Sequence, residues 1–450
     1  MIRGSITIRS FVLAACAAGA SSFVPPASAA EDARATGTLD YTARVGAAYS
    51  DNVNRSSQFP QDSASVVAGV DLAGRKEAGR LKYGVVATLE RYEYLTSGLQ
   101  GTNFGSGLGR ASYDLVEDFF TWNASAAYDQ MRENTFRPIA PGNTESSISW
   151  STGPTLRARL SDVTRLELDG QYSRQDYSAR PYDNQTIGGQ AQLLRQSSSR
   201  TLFGLGYAYD DFSYIGGLGA TTGLDFRRQE YFVTFNTRVV RMNIDTQVGI
   251  ADVKGQVIDD QSPMARVRLS RRLTPSIDAF IGYQREYPTS LSTPIPREEI
   301  LLSGLDDSAL LSSTPRISNT GDAGLRYERE RSSLALTYFN RSEKALVAGI
   351  GSHTTQEVRA EVGRRFTPTA SGTFFVSRSD ERYSLFPRKA NEIDFGAAFI
   401  RDLGRHIGIE ARVEYRDRSG LLRVDTYNEL SGGVFLRYAN RRDRVENELR

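Results

Sequence analysis

Acidic and basic side chains recur two residues apart in this chain, and that spacing limits the chemistry open to them. Arg157 and Arg159 precede Glu167 and Asp169, Arg266 and Arg268 precede Asp278, Arg359 is followed by Glu361, and Glu410, Arg412 and Glu414 alternate. Arg44 sits between Ala43 and Val45, and Arg238 beside Val239. A period of two is that of a strand, whose successive side chains leave on opposite faces, so each set lies along one face. Such a face can pair charges with its neighbours or hold a polar solute. Nucleophilic catalysis needs a base oriented beside its nucleophile. The histidines, His353 in an expected outer loop and His406 at an expected short turn, have no obvious Ser and acidic partner beside them, so enzyme activity is not expected. No Gly-rich phosphate loop precedes a helix and no His/Cys spacing suits a metal, so no cofactor is expected either. The acidic pairs Asp210-Asp211, Asp259-Asp260 and Asp306-Asp307 fall in expected loops. Carboxylates there can bind Ca²⁺, although solvated loop charge is the commoner reason for such pairs.

The elements that must position these residues are strands. Leu39, Tyr41, Ala43, Val45, Ala47 and Tyr49 alternate with Asp40, Thr42 and Arg44, and the pattern recurs at Phe120 to Tyr128, Ile148 to Leu160, Met242 to Ile250, Ile277 to Tyr283 and Ile407 to Tyr415. Phe104 to Leu115 and Ala370 to Arg378 carry it more weakly. Short connections such as Lys76 to Gly79, Leu273 to Ser276 and Phe366 to Thr369 alternate with long ones such as Ser50 to Asp62, Met131 to Glu145, Asp210 to Phe226 and Pro288 to Pro315. Alternating ~10-residue segments with short turns at one end and long loops at the other mark a transmembrane β-barrel. The expected fold is all-β, an antiparallel up-and-down barrel of about 18–20 strands, with both termini on the periplasmic side. Low mean hydropathy fits, because only alternate residues would face lipid. Tyr49, Tyr94, Tyr128, Tyr177, Tyr209, Tyr287, Tyr338 and Tyr415 stand where strands would reach the outer surface, as an aromatic girdle would.

The N-terminus carries Arg3, Arg9, an apolar run from Phe11 to Ala18, then Pro25-Pro26 and small residues to Ala30. That is the pattern of a cleaved secretory leader. Leu13-Ala14-Ala15-Cys16 also fits a lipoprotein box, but the apolar stretch before Cys16 is shorter than the usual ~7–15 residues. The expected organisation is a leader over 1–29, a short periplasmic segment over 30–36, a barrel over 37–438 and a charged periplasmic tail over 439–450. Cleavage near Ala29 removes the only cysteine, leaving no disulfide or thiolate metal site. The formal charge of +2 falls to about 0 once Arg3 and Arg9 are removed, which gives no reason to expect a nucleic-acid partner.

If the apolar set faces lipid, the opposite parity lines the interior. The expected lining includes Arg44, Arg157, Arg159, Glu167, Asp169, Arg238, Arg266, Arg268, Asp278, Arg359, Glu361, Glu410, Arg412 and Glu414. Two accounts fit Arg157/Arg159 beside Glu167/Asp169 and Arg266/Arg268 beside Asp278: a mixed-charge constriction, or cross-strand pairs that stiffen the wall. Phe232, Phe280 and Phe435 share the inward parity and could stack against sugars or pack against a loop. Ile300-Leu301-Leu302 and Leu310-Leu311 make the 288–315 connection unusually apolar, so it is expected to fold into or over the lumen.

Ser431-x-Gly433-x-x-Leu436-x-Tyr438 resembles the C-terminal signal read by the outer-membrane barrel assembly machinery, although the tail Arg441 to Arg450 follows it. With Tyr49-Ser50-Asp51-Asn52-Val53-Asn54, the Arg-Arg-Leu-Thr-Pro turn at 271–275 and its near copy at 364–368, the chain resembles a family of outer-membrane β-barrel porins associated with exopolysaccharide biosynthesis and secretion clusters. That resemblance implies an outer-membrane location in a Gram-negative bacterium and a role in passing a polysaccharide across that membrane; with a charged lumen and no energy-coupling motif, periplasmic export proteins are expected to deliver the polymer. It supplies no catalytic residues. A porin for small hydrophilic solutes, and a closed barrel that attaches to a surface partner through its loops, are the other readings of the same residues.

Overall fold

A computed structural model describes residues 37–96, 98–131, 140–179, 183–216, 225–287, 316–346, 352–384, 388–420 and 426–440. The expected leader, the tail beyond 440, Asp306-Asp307 and the 288–315 connection lie outside the described residues.

Twenty strands run in chain order. The first ten are β1 (Thr38–Ser50), β2 (Ser63–Lys76), β3 (Leu81–Tyr94), β4 (Thr102–Val116), β5 (Phe120–Met131), β6 (Glu145–Ser161), β7 (Thr164–Tyr177), β8 (Asp183–Ser198), β9 (Thr201–Ile215) and β10 (Phe226–Val239). The second ten are β11 (Met242–Gly255), β12 (Asp259–Thr274), β13 (Ile277–Glu286), β14 (Arg316–Arg329), β15 (Ser332–Ala345), β16 (His353–Thr367), β17 (Ala370–Tyr383), β18 (Arg388–Asp402), β19 (Ile407–Gly420) and β20 (Tyr427–Ala439). Each strand pairs antiparallel with the next, and β1 pairs with β20 from Thr42↔Ala439 to Ser50↔Ser431. The sheet therefore closes and leaves no edge, as a bilayer requires of strands.

The two faces differ as the alternation demands. On β1, Leu39, Val45 and Tyr49 are exposed, whereas Arg44 between them is largely shielded. The same parity exposes Ile148 on β6, Leu205 on β9, Val233 on β10, Leu336 on β15 and Leu436 on β20. Large apolar side chains thus cover the outside of a closed wall and polar ones its concave side. A closed antiparallel barrel with an apolar exterior band is the form proteins take in the bacterial outer membrane, and that is where this one resides.

The short turns lie at the end that carries both Thr38 and Ala439, so this is the periplasmic end. Five hairpins shift register just before their short turn, including Arg272/Thr274 and Arg365/Thr367 in the two similar turns noted above. A bulge there adds local twist and fixes which side chains face each other above it.

Several local expectations change. Phe104 to Leu115 is most of a 15-residue β4, and Ala370 to Arg378 the start of a 14-residue β17. Asp210, Asp211, Asp259 and Asp260 lie in strands rather than loops, because β9 and β12 run on beyond the apolar segment. His353 is the first residue of β16, stacked on Tyr383 with ring centroids 4.4 Å apart. The girdle is also smaller than expected. Tyr49, Tyr128, Tyr209, Tyr338 and Tyr415 share the outward parity, but Tyr94 and Tyr177 share the parity of the inward Glu90 and Glu167. Tyr287, one residue past β13, is buried.

Candidate functional site: the charged inner wall

Every residue of the expected lining lies on a strand at the parity opposite the exposed apolar set, but the partners differ from those the sequence suggested. Glu167 takes Arg157 at 3.7 Å and Arg165 at 3.0 Å, while Asp169 accepts a hydrogen bond from Thr155. Arg159 makes no ion pair among the described residues. Asp278 pairs with Arg272 at 3.2 Å rather than with Arg266 or Arg268. The bulge before the turn sets Arg272 directly opposite Asp278 in the ladder. Arg266 reaches Glu286 at 2.8 Å and Arg268 reaches Asp322 at 3.5 Å. Arg238 donates to Asn243 at 3.1 Å, Arg359 meets Glu361 at 3.4 Å, and Glu414 takes Arg416 at 2.6 Å.

Some pairs skip a strand. Arg44 on β1 pairs with Asp71 on β2 and, at 2.6 Å, with Glu90 on β3, passing over Gly69. A Cβ at Gly69 would stand 3.0 Å from Arg44 Nε, so the missing side chain makes room for the guanidinium. Arg268 reaches Asp322 over Gly282 in the same way. Arg412 on β19 goes further and meets Glu90 on β3 at 3.5 Å, although β20, β1 and β2 lie between them in the sheet. Such a pair cannot follow the wall. Both side chains leave it and meet inside the lumen.

Arginines also lie over inward phenylalanines, among them Arg412 over Phe435 at 4.5 Å, Arg268 over Phe280 at 4.8 Å and Arg359 over Phe375 at 4.5 Å. Cation–π attraction holds each guanidinium over its ring. Of the two uses their parity left open, Phe435 and Phe232 do not serve sugar stacking: both are buried and neither offers an open ring face.

The outer end carries a network that strand parity locates but sequence spacing does not reveal. Arg418, 2 % exposed, pairs with Glu381 at 2.8 Å and Glu392 at 2.7 Å. Tyr427 donates to Glu392 at 3.3 Å. Arg55, in the β1–β2 connection, joins Glu429 at 2.8 Å. Across the mouth, Arg228 pairs with Asp210 at 2.5 Å and donates to the Tyr287 carbonyl at 2.9 Å. Beside it Phe212, Phe226, Val253, Met264, Tyr287 and Ile317 form a buried apolar cluster. Burial and a hydrogen bond to Asp260 push the Tyr287 phenol above its ordinary pKa. Asp210 and Asp211 are engaged by Arg228 and Arg227, and no metal-binding cluster of His, Cys, Asp and Glu occurs among the described residues.

At the periplasmic end a cavity of about 620 Å³ opens between β10 and β15. Arg238, Arg241, Arg268, Arg271, Arg272 and Arg326 line it, with Asp278 as the lone carboxylate of the lining.

No family model matches the chain, and no curated protein matches it. Solved structures do. It is similar to the FrpB iron transporter from Neisseria meningitidis (F3-3 variant), at 10% identity and a TM-score of 0.47, over 89% of this chain and 81% of that one. It is also similar to the siderophore receptor PirA from Pseudomonas aeruginosa, at 10% identity and a TM-score of 0.46, over 90% of this chain and 81% of that one. Likeness at that level carries no assignment of cargo. The exopolysaccharide-porin resemblance read from Tyr49 to Asn54 and the Thr-Pro turns has no counterpart among these matches.

Proposed function

We propose that the barrel is a passive outer-membrane conduit for a secreted polysaccharide, received from periplasmic export proteins and released at the cell surface. The observation that carries this reading is the inner face, where charged, amide and hydroxyl side chains follow one another from the periplasmic turns to the outer loops. A wall of twenty strands encloses a lumen wide enough for an aqueous channel. A hydroxyl-rich polymer can exchange its water for such a wall without meeting an apolar barrier. The reading assigns passage, not catalysis. It places the exterior in membrane lipid and leaves folding to the barrel assembly machinery.

A second reading is favoured by the Arg412–Glu90 pair and by the apolar cluster at the outer mouth. Both put side chains where solute would pass, so the barrel is closed at rest and either opens with a partner or serves at the surface through its loops. Single-channel conductance of the refolded protein in a planar bilayer separates the two. Steady steps, together with loss of exported polymer from a deletion strain, support the conduit. Steps without any effect on export indicate a porin for small solutes, and a silent folded barrel supports the closed state.

A further inference from the structure

The periplasmic cavity narrows the class of polymer. We infer that it is the entrance subsite for an acidic glycan, one whose repeating units carry carboxylates, and this rests on the conduit reading above. Six arginines border it, Arg271 from the outward parity of β12, against the single carboxylate Asp278, which Arg272 already neutralises. Arg238 meets only the neutral amide of Asn243, and Arg326 meets no carboxylate within ion-pair distance among the described residues. Arg268 is bracketed by Asp322 and by Asp245, its ladder partner. It also lies over Phe280, 4.8 Å from the ring centroid. The subsite therefore has a preset guanidinium at its back and less compensated ones at its front.

The geometry suits a chain rather than a single ion. Arg238 on β10, Arg272 on β12 and Arg326 on β14 occupy alternate strands. Neighbouring strands lie ~4.8 Å apart, so alternate ones stand ~9–10 Å apart. That is close to the distance between every second residue of an extended pyranose chain. Asn243 and Ser270 lie between the guanidiniums, and Thr337 on β15 lies beyond Arg326; all three can bond sugar hydroxyls. Guanidinium pairs carboxylate bidentately. A neutral glycan would leave the arginines without counter-charge, and a dense polyphosphate would leave the amide and hydroxyls unused.

The test uses the full mature barrel, with oligogalacturonate as the acidic probe and maltodextrin of equal length as the neutral one. In a bilayer, oligogalacturonate added on the short-turn side should block current at least about tenfold more tightly than maltodextrin, or than oligogalacturonate added outside. R238Q/R272Q/R326Q should erase about tenfold of that affinity. Calorimetric titration of the folded barrel in detergent gives the same comparison when no current is seen. Preferential acidic binding there upholds the subsite even in a barrel that does not conduct, which would count against the conduit alone. Equal affinity for the two glycans, or acidic binding unchanged in the triple variant, overturns the subsite and leaves conduction standing.

Discussion

Arg418 is nearly sealed from solvent, yet it answers two carboxylates on two different strands. Such a cation is held by its partners and holds them in turn. Removing it leaves Glu381 and Glu392 facing each other, and a broken buried pair costs about 3–5 kcal/mol. Arg418→Met should lower the stability of the refolded barrel by that order. Adding Glu381→Gln and Glu392→Gln should recover most of the loss, because neutral amides do not repel. Urea unfolding in lipid vesicles reads both changes. Equal stability of the single variant and the wild type would show that water, not the guanidinium, solvates the two acids. Arg44 follows the same logic less severely, since Asp71 is partly open to solvent.

Within an element, parity governs what a position tolerates. Leu336 near the middle of β15 faces outward, and Thr337 beside it faces in. Leu336→Arg should cost about 2–4 kcal/mol, the depth-dependent penalty for a cation at the bilayer midplane. Thr337→Gln should change stability by under about 0.5 kcal/mol, because an amide replaces a hydroxyl on the polar face and adds no charge opposite Arg359, its ladder partner. A thermal band-shift series on the folded protein orders the two, and a reversed order would mean that the faces are assigned the wrong way round. This alternation is what made the strands legible in the sequence, from β1 through β19. It was faint in β4, where Gly105, Gly107 and Gly109 dilute the apolar face. Partner choice was not legible. Asp278 pairs with Arg272 because of a bulge, and Glu90 meets Arg412 only because the wall curves. Neither curvature nor a register shift is written in a spacing of two.

Across the whole molecule, acids and bases nearly cancel, 53 against 55 in the full chain, but on the inner wall they are displaced along the axis. Glu145, Glu343, Glu381, Glu392 and Glu429 crowd the outer end, whereas Arg157, Arg159, Arg272, Arg326 and Arg365 stand toward the periplasmic turns. A lumen charged in this way draws mobile cations to its outer half and mobile anions to its inner half. With the outside positive, cations move inward and anions outward, so both carriers collect where the halves meet and conductance rises. With the outside negative, both are drawn away from the junction and conductance falls. An open barrel should therefore pass more current with the outer side positive at about 0.1 M salt, where screening reaches ~10 Å. The asymmetry should fade at 1 M, where screening shortens to ~3 Å. Reversing the charge of Arg272 and Arg326 with glutamate should flatten the current–voltage curve at low salt as well. A symmetric curve in the wild-type protein at low salt would mean that the ion pairs along the wall cancel the separation, and that the axial ordering of charge does nothing to the solute.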